Sequence, residues 1–262
     1  MNVMQMLSLT GKTALVTGGA GLYGRQIVEA LAEAGAETYV ASRNLEQLEK
    51  FAAECRSKGL NVKALPLDLS CEESIISLKN EIVSCSGKCD ILVNNAVTRS
   101  ACNGWDNPIE EFDASLHINA SALFRITYHF GEEMKKHRSG SIINIGSMMG
   151  MVGIELANYV GTEMQENPSP IYFYEKGGMI NFSRWAASML GRYDIRVNCV
   201  SPGGFQTPDQ PDAFVKNYSA RTQLGRMANE SDLKGIMVFL GSDASQYITG
   251  TNIPVDGGYT AK

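Results

Sequence analysis

The chain has 262 residues, 44% of them hydrophobic and 19% charged, with a net charge of -5 at neutral pH, which suits one large α/β domain with a full core. The acidic balance, without any basic run or stripe to neutralise phosphates, argues against a nucleic-acid binder. No apolar run approaches membrane-spanning length, and Met1 to Leu9 lacks the basic start and apolar core of a signal peptide, so a cytoplasmic location is expected.

Thr13 to Val16 is a short apolar run closed by Thr17-Gly18-Gly19-Ala20-Gly21-Leu22-Tyr23-Gly24, four glycines within seven residues. Ile27, Val28, Leu31, Ala32 and Ala34 then recur at helical spacing, so a strand, a glycine loop and a helix starting near Leu22 follow one another, with Gly35 as the stop. Glycines let the backbone approach a ligand, and the helix N-terminus offers unpaired N–H groups that suit a pyrophosphate. Gly18, Gly21, Leu22, Tyr23 and Gly24 are the cofactor-binding candidates of this stretch. Nucleotide binders, methyltransferases and plain strand-to-helix turns all use such loops, so the loop alone names no function.

Further strand-like runs sit between helix candidates at Thr38 to Ala41, Val62 to Leu65, Asp90 to Asn94, Ser141 to Ile145, Ile195 to Val200 and Ile253 to Val255. That alternation predicts a parallel sheet covered by helices on both faces, in one domain, because no linker or composition shift divides the chain. The second strand ends at Ser42-Arg43, where a dinucleotide fold otherwise places an acidic residue for the adenosine ribose. Ser42 and Arg43 can instead accept a 2'-phosphate, so NADP(H) is favoured and NAD(H) kept open. Asp68-Leu69 and Asn94-Asn95-Ala96 follow the third and fourth strands, at the strand ends where open α/β sheets bind ligands.

Ser147 ends the strand Ile142 to Ile145, with no Gly-x-Ser-x-Gly elbow and no histidine after it, so it reads as a hydrogen-bond donor and not as a nucleophile. Tyr172 and Lys176 lie one turn apart on a helix that Ser169 can cap and Pro170 can start, while Tyr174 points away. Phenols titrate near about 10 and a neighbouring ammonium favours the phenolate, which makes Tyr172 the acid/base candidate. The six cysteines (Cys55, Cys71, Cys85, Cys89, Cys102, Cys199) and three histidines (His117, His129, His137) form no metal-ligand spacing, so no metal is expected and the thiols read as reduced.

Taken together, Thr17-Gly18 with Gly21 and Gly24, Asn94-Asn95-Ala96, Ser147, Tyr172-x-x-x-Lys176, Pro202-Gly203 with Thr207, and Ile248-Thr249-Gly250 through Val255-Asp256-Gly257-Gly258 occur in the order of the short-chain dehydrogenase/reductase family, over essentially the whole chain. The resemblance implies a single-domain Rossmann-type doubly wound sheet, a homotetramer or dimer, and hydride transfer between a nicotinamide and an alcohol or ketone. It implies that Tyr172 exchanges the proton, Ser147 orients the substrate oxygen, Lys176 holds the ribose and favours the phenolate, and Asn119 holds a water in the proton relay. Asn95, Ala96, Pro202, Gly203, Phe205 and Thr207 join the cofactor set. The second strand resembles the gluconate dehydrogenase and 3-oxoacyl-carrier-protein reductase branches, so a sugar, sugar acid or polyol is the expected substrate. The alternatives are a 3-oxoacyl thioester or a dinucleotide-binding regulator without turnover. A methyltransferase would leave Tyr172 with Lys176 and Ser42 with Arg43 unexplained.

Three positions depart from the family pattern. Leu22 and Val97 stand where glycine is usual, which is expected to shift the loop path and to add bulk beside the cofactor. Ser147 and Tyr172 lie 25 residues apart, about twice the family's habit, so residues 148–169 are an expected insertion beside the active site, with Glu155, Asn158, Tyr159, Glu163 and Gln165 as pocket candidates. Residues 204–226 are the expected substrate-side loop.

Overall fold

A computed structural model describes residues 1–98, 104–164 and 169–261. Cys102 and Gln165 lie outside the described residues. In chain order the elements are α1 (Val3–Leu7), β1 (Thr13–Thr17), α2 (Leu22–Glu33), β2 (Glu37–Ser42), α3 (Leu45–Ser57), β3 (Val62–Pro66), α4 (Glu72–Ser86) and β4 (Ile91–Asn94). They continue as α5 (Ile109–Leu116), α6 (Ala122–His137), β5 (Gly140–Ile145), α7 (Pro170–Leu190), β6 (Ile195–Pro202), α8 (Asp212–Ser219), α9 (Lys234–Gly241) and β7 (Asn252–Val255).

The strands form one parallel sheet in the order β3-β2-β1-β4-β5-β6-β7. Both faces are buried, and successive strand residues divide between two cores because side chains alternate across a sheet. Ala14, Val16, Val40, Ile91, Val93, Ile143, Ile145 and Val200 pack against α2, α3 and α9. Leu15, Tyr39, Ala41, Leu92, Ile142 and Val197 face α4, α6 and α7. Order reverses between β1 and β4, and the crevice beyond their carboxyl ends is where this class of sheet binds ligands.

Local chemistry sets the helix boundaries that aim side chains at the crevice. The Asn44 side chain accepts from Gln47 N at 3.0 Å and starts α3, and Pro170 occupies the first turn of α7. Gly35, with φ +102, lets the chain leave α2 for β2. The Ser169 hydroxyl was expected to cap α7, yet it makes no cap bond; Ser169 is the N-cap by backbone conformation alone. The expected loop 204–226 contains helix α8, because Pro211 and Asp212 open a turn in which Phe214 and Tyr218 share one buried face.

Candidate active site

Where β1 ends, the glycine loop is locked by backbone contacts. A Cβ on Gly18 would lie 2.9 Å from Ala96 Cα, and one on Gly24 would lie 2.4 Å from Gly18 O, so neither position has room for another atom. Asn95 Nδ2 donates to Thr17 O at 3.0 Å and to Gly18 O at 2.9 Å, while Thr17 Oγ1 accepts from Asn95 N at 3.1 Å and Ala96 N at 3.0 Å. The two loops at the switch point are thereby one unit. Gly21 is the N-cap of α2, and Leu22 begins the helix with its side chain 58% exposed; Val97 is likewise 38% exposed. Both bulky departures from glycine thus have their side chains partly in solvent, and the helix N-terminus keeps its free first-turn N–H groups. This cradle fits a dinucleotide pyrophosphate.

Ser42 and the exposed Arg43 stand at the end of β2. Across from them, Asp68 Oδ1 accepts from Ser70 Oγ at 2.7 Å and Ser70 N at 2.9 Å. Those bonds, with a smaller contribution from the Arg43 charge, hold the Asp68 carboxyl below its usual range. Leu69, half-buried, follows.

At the end of β5, Ser147 is buried, and its hydroxyl oxygen accepts from Met149 N at 3.1 Å, which leaves its hydrogen to donate. A 3-10 turn, Met148–Gly150, then crosses α7 so closely that a Cβ on Gly150 would lie 2.5 Å from Lys176 C. Ser147 is thus held beside the helix that carries Tyr172. Lys176 is 4% exposed, donates from Nζ to Ile145 O at 2.7 Å, and places Nζ 5.6 Å from the centre of the Tyr172 ring. Tyr174 is exposed, as the helical spacing requires.

Asn119 is not on a regular helix. It lies in a π-turn, His117–Ser121, between α5 and α6, the kind of one-turn bulge that opens the backbone ladder at functional sites. Its side chain spans the loop after β4, accepting from Thr98 N at 2.9 Å and donating to Thr98 O at 2.8 Å. The same Nδ2 reaches Glu175 Oε2 at 3.0 Å and Ser115 Oγ at 3.1 Å. Glu175 and Ser115 were not anticipated from the sequence, although Ile171, Glu175 and Met179 form a helical stripe, and a carboxylate in an otherwise apolar stripe signals a buried polar contact. Burial pushes the Glu175 carboxyl above its usual range, against the pull of the Ser115 and Asn119 bonds and the Lys176 charge.

The opposite wall follows β6. Tyr23 OH donates to Gly203 O at 2.7 Å and its ring meets Phe205 edge-on at 5.4 Å, so helix α2 clasps the Pro202-Gly203 turn. Thr207 is tied within its own turn: its N–H donates to Gln210 Oε1 at 3.0 Å, and Gln210 Nε2 donates to Phe205 O at 3.1 Å. Buried Tyr218 bridges the two walls, its oxygen 2.5 Å from Gly204 N and 3.1 Å from Met148 Sδ. Residues 154–160, part of the expected insertion, lie against this wall. Asn158 Nδ2 donates to Tyr259 OH at 2.9 Å, Asn217 Nδ2 donates to Val160 O at 2.9 Å, and Tyr159 packs on Phe214 with ring centres 5.4 Å apart.

Comparison with known proteins agrees with this geometry. A family model described as enoyl-(acyl carrier protein) reductase matches residues 21–260. A 3-oxoacyl-[acyl-carrier-protein] reductase of Thermotoga maritima is 31% identical, the match covering 96% of this chain and 99% of that one. Among solved structures, a gluconate 5-dehydrogenase from Burkholderia cenocepacia J2315, in complex with NADP and tartrate, superposes with a TM-score of 0.88 at 26% identity over 100% of both chains. An NAD+-bound xylitol dehydrogenase gives a TM-score of 0.86 at 28% identity over 95% of this chain and 99% of that one. With the switch-point cradle and the helix carrying Tyr172 and Lys176, these likenesses show that the chain belongs to the short-chain dehydrogenase/reductase family and is a nicotinamide-dependent oxidoreductase of alcohol and carbonyl groups.

Proposed function

We propose that the protein interconverts a secondary hydroxyl and a ketone on a sugar acid, sugar or polyol, with Tyr172 as the acid/base and NADP(H) as the preferred cofactor. The observation that carries this reading is the buried Lys176 ammonium, anchored on Ile145 O and lying against Tyr172 beside Ser147. A bound nicotinamide supplies or accepts the hydride at the substrate carbon. The Tyr172 hydroxyl exchanges the proton at the substrate oxygen, Ser147 donates a hydrogen bond to that oxygen, and Lys176 keeps its ammonium beside the Tyr172 ring. Asn119 holds water for the relay from its π-turn. Gly18, Gly21, Leu22, Tyr23 and Gly24 hold the pyrophosphate. Ser42, Arg43, Asp68 and Leu69 take the adenosine end, and Asn95, Ala96, Pro202, Gly203, Phe205 and Thr207 take the nicotinamide half.

The likeness to gluconate and xylitol dehydrogenases supports the polyhydroxylated substrate class. The 3-oxoacyl thioester alternative is favoured by the Thermotoga maritima relative. Assaying 5-keto-gluconate, xylitol and acetoacetyl-coenzyme A with each cofactor, read at the nicotinamide absorbance, separates the two. Turnover of the thioester alone would replace the first reading. Tyr172→Phe is expected to abolish nearly all turnover and leave cofactor affinity near wild type; substantial activity would falsify the assignment.

The family's homo-oligomeric habit extends to this chain through one surface. Phe124 and Tyr128 on α6 adjoin Trp185 on α7, all half exposed, with Phe124 and Trp185 ring centres 6.3 Å apart. A second copy of the chain covers this face in our reading. Light scattering of wild type and Trp185→Glu checks it, with a lower mass expected for the variant.

A further inference from the structure

The triangle of Ser115, Asn119 and Glu175 has a defined direction of donation. The Ser115 hydroxyl donates to Glu175 Oε1 at 2.8 Å, which leaves its oxygen to accept from Asn119 Nδ2, and that amide's two hydrogens are shared among Ser115 Oγ, Glu175 Oε2 at 3.0 Å and Thr98 O. The carboxylate is therefore the common acceptor of two groups from a different part of the chain. Because Asn119 Oδ1 accepts from Thr98 N, turning the amide over would set its oxygen against the carboxylate and its NH2 against a backbone N–H. Glu175 is 8% exposed, and an apolar residue between Ile171 and Met179 would fill this place on α7 without the desolvation cost of a carboxylate. Charge at this position thus has a local use that packing does not require.

We infer that Glu175 is a positioning residue: it fixes the Asn119 carboxamide and thereby holds the π-turn and the Thr98 loop against the helix that carries Tyr172 and Lys176. Its effect on turnover rests on the reading of Asn119 and Tyr172 given above. The neighbouring positions of α7 make the coupling direct, because Lys176 follows Glu175 in sequence and reaches Ile145 O, whereas Glu175 reaches across to α5 and the π-turn. One helix turn therefore anchors both sides of the proton path.

Glu175→Ala, Glu175→Gln and Tyr172→Phe are compared with wild type by three measurements: 5-keto-gluconate reduction with NADPH, NADPH binding by fluorescence, and hydrogen–deuterium exchange of residues 115–121. Glu175→Ala is expected to lower kcat about tenfold and to speed exchange of that segment by a similar factor, the size of one charge-assisted hydrogen bond. KM and NADPH affinity should stay close to wild type. Glu175→Gln should restore the protection and most of kcat, since its carboxamide still accepts from Asn119 and can donate to Ser115. The inference is overturned if Glu175→Ala leaves exchange of 115–121 unchanged, if Glu175→Gln is no better than Glu175→Ala, or if protection is lost throughout α7 and β5. Absence of 5-keto-gluconate turnover in wild type, or full turnover in Tyr172→Phe, would count against the proposed reaction, and the exchange comparison would still decide the role of Glu175.

Discussion

Around the glycine loop backbone lies on backbone, Gly18 against Ala96 and Gly24 against Gly18, whereas residues 154–160, past the close crossing of Gly150 on Lys176, are held by side chains: Tyr159 on Phe214, Asn158 on Tyr259 and Asn217 on Val160 O. The first kind of contact admits no extra atom and gives one shape to the phosphate cradle. The second can repack when side chains change, so the same frame can serve different substrates. Between the two runs a polar seam. Gln26 on α2 donates to Asn229 O at 3.2 Å and accepts from Leu233 N at 2.8 Å, and Arg226 pairs with both oxygens of Asp232 at 2.6 and 2.7 Å.

The rigid side should fail most sharply. Gly24→Ala puts a methyl into Gly18 O and the Gly19 backbone, none of which can rotate away, so a destabilisation of about 3 kcal/mol and loss of NADPH binding are expected in thermal melts and fluorescence titration. Wild-type values for both would show that α2 can slide over the loop. At the outer end of the same side, Arg43→Ala should weaken NADP(H) binding roughly ten- to a hundredfold while leaving NAD(H) nearly unchanged, the loss of a charge-assisted phosphate contact. Equal titration curves for the two cofactors in wild type would remove that assignment.

Shortening residues 154–164 to a tight connection tests the adaptable side. Cofactor binding is expected to survive, with the substrate KM rising about tenfold or the preferred substrate changing, as for the loss of a few pocket contacts. If kinetics hold and the mass in solution changes, the segment belongs to an interface between copies. The smallest effect is expected at the seam. Hydrogen bonds from Arg226 hold the Asp232 carboxyl below its usual range, so the folded state binds its proton less readily than the unfolded chain. The stability this supplies is present above the ordinary carboxylate pKa of about 4 and is lost as pH falls through the lower folded value. Melting temperatures of wild type and Asp232→Asn should therefore differ slightly at neutral pH and converge on acidification; a constant gap would mean that the carboxylate charge contributes nothing.

Much of this arrangement is written locally. The apolar run Thr13 to Val16, the glycines after it and the spacing of Ile27, Val28 and Leu31 determine β1, the loop and α2, because each is a property of neighbours in sequence. The same holds for the other six strands, for Pro170 at the start of α7 and for Tyr172 one turn from Lys176. Helix α8 was not anticipated because its short apolar face, Phe214 and Tyr218, has meaning only against Met148 and Met227.

Tertiary structure alone decided the rest. Nothing local distinguishes Asn119 from any polar helix residue; the π-turn exists where α5 meets α6 over α7, and its partners Glu175 and Thr98 are 56 and 21 residues away. Likewise, the 25-residue spacing of Ser147 and Tyr172 shows a long connection but not its resting place. Tyr259, 101 residues beyond Asn158, and α8 supply that place, since a hydrogen bond between distant residues depends on how the sheet brings their elements together and leaves no periodic trace in the chain.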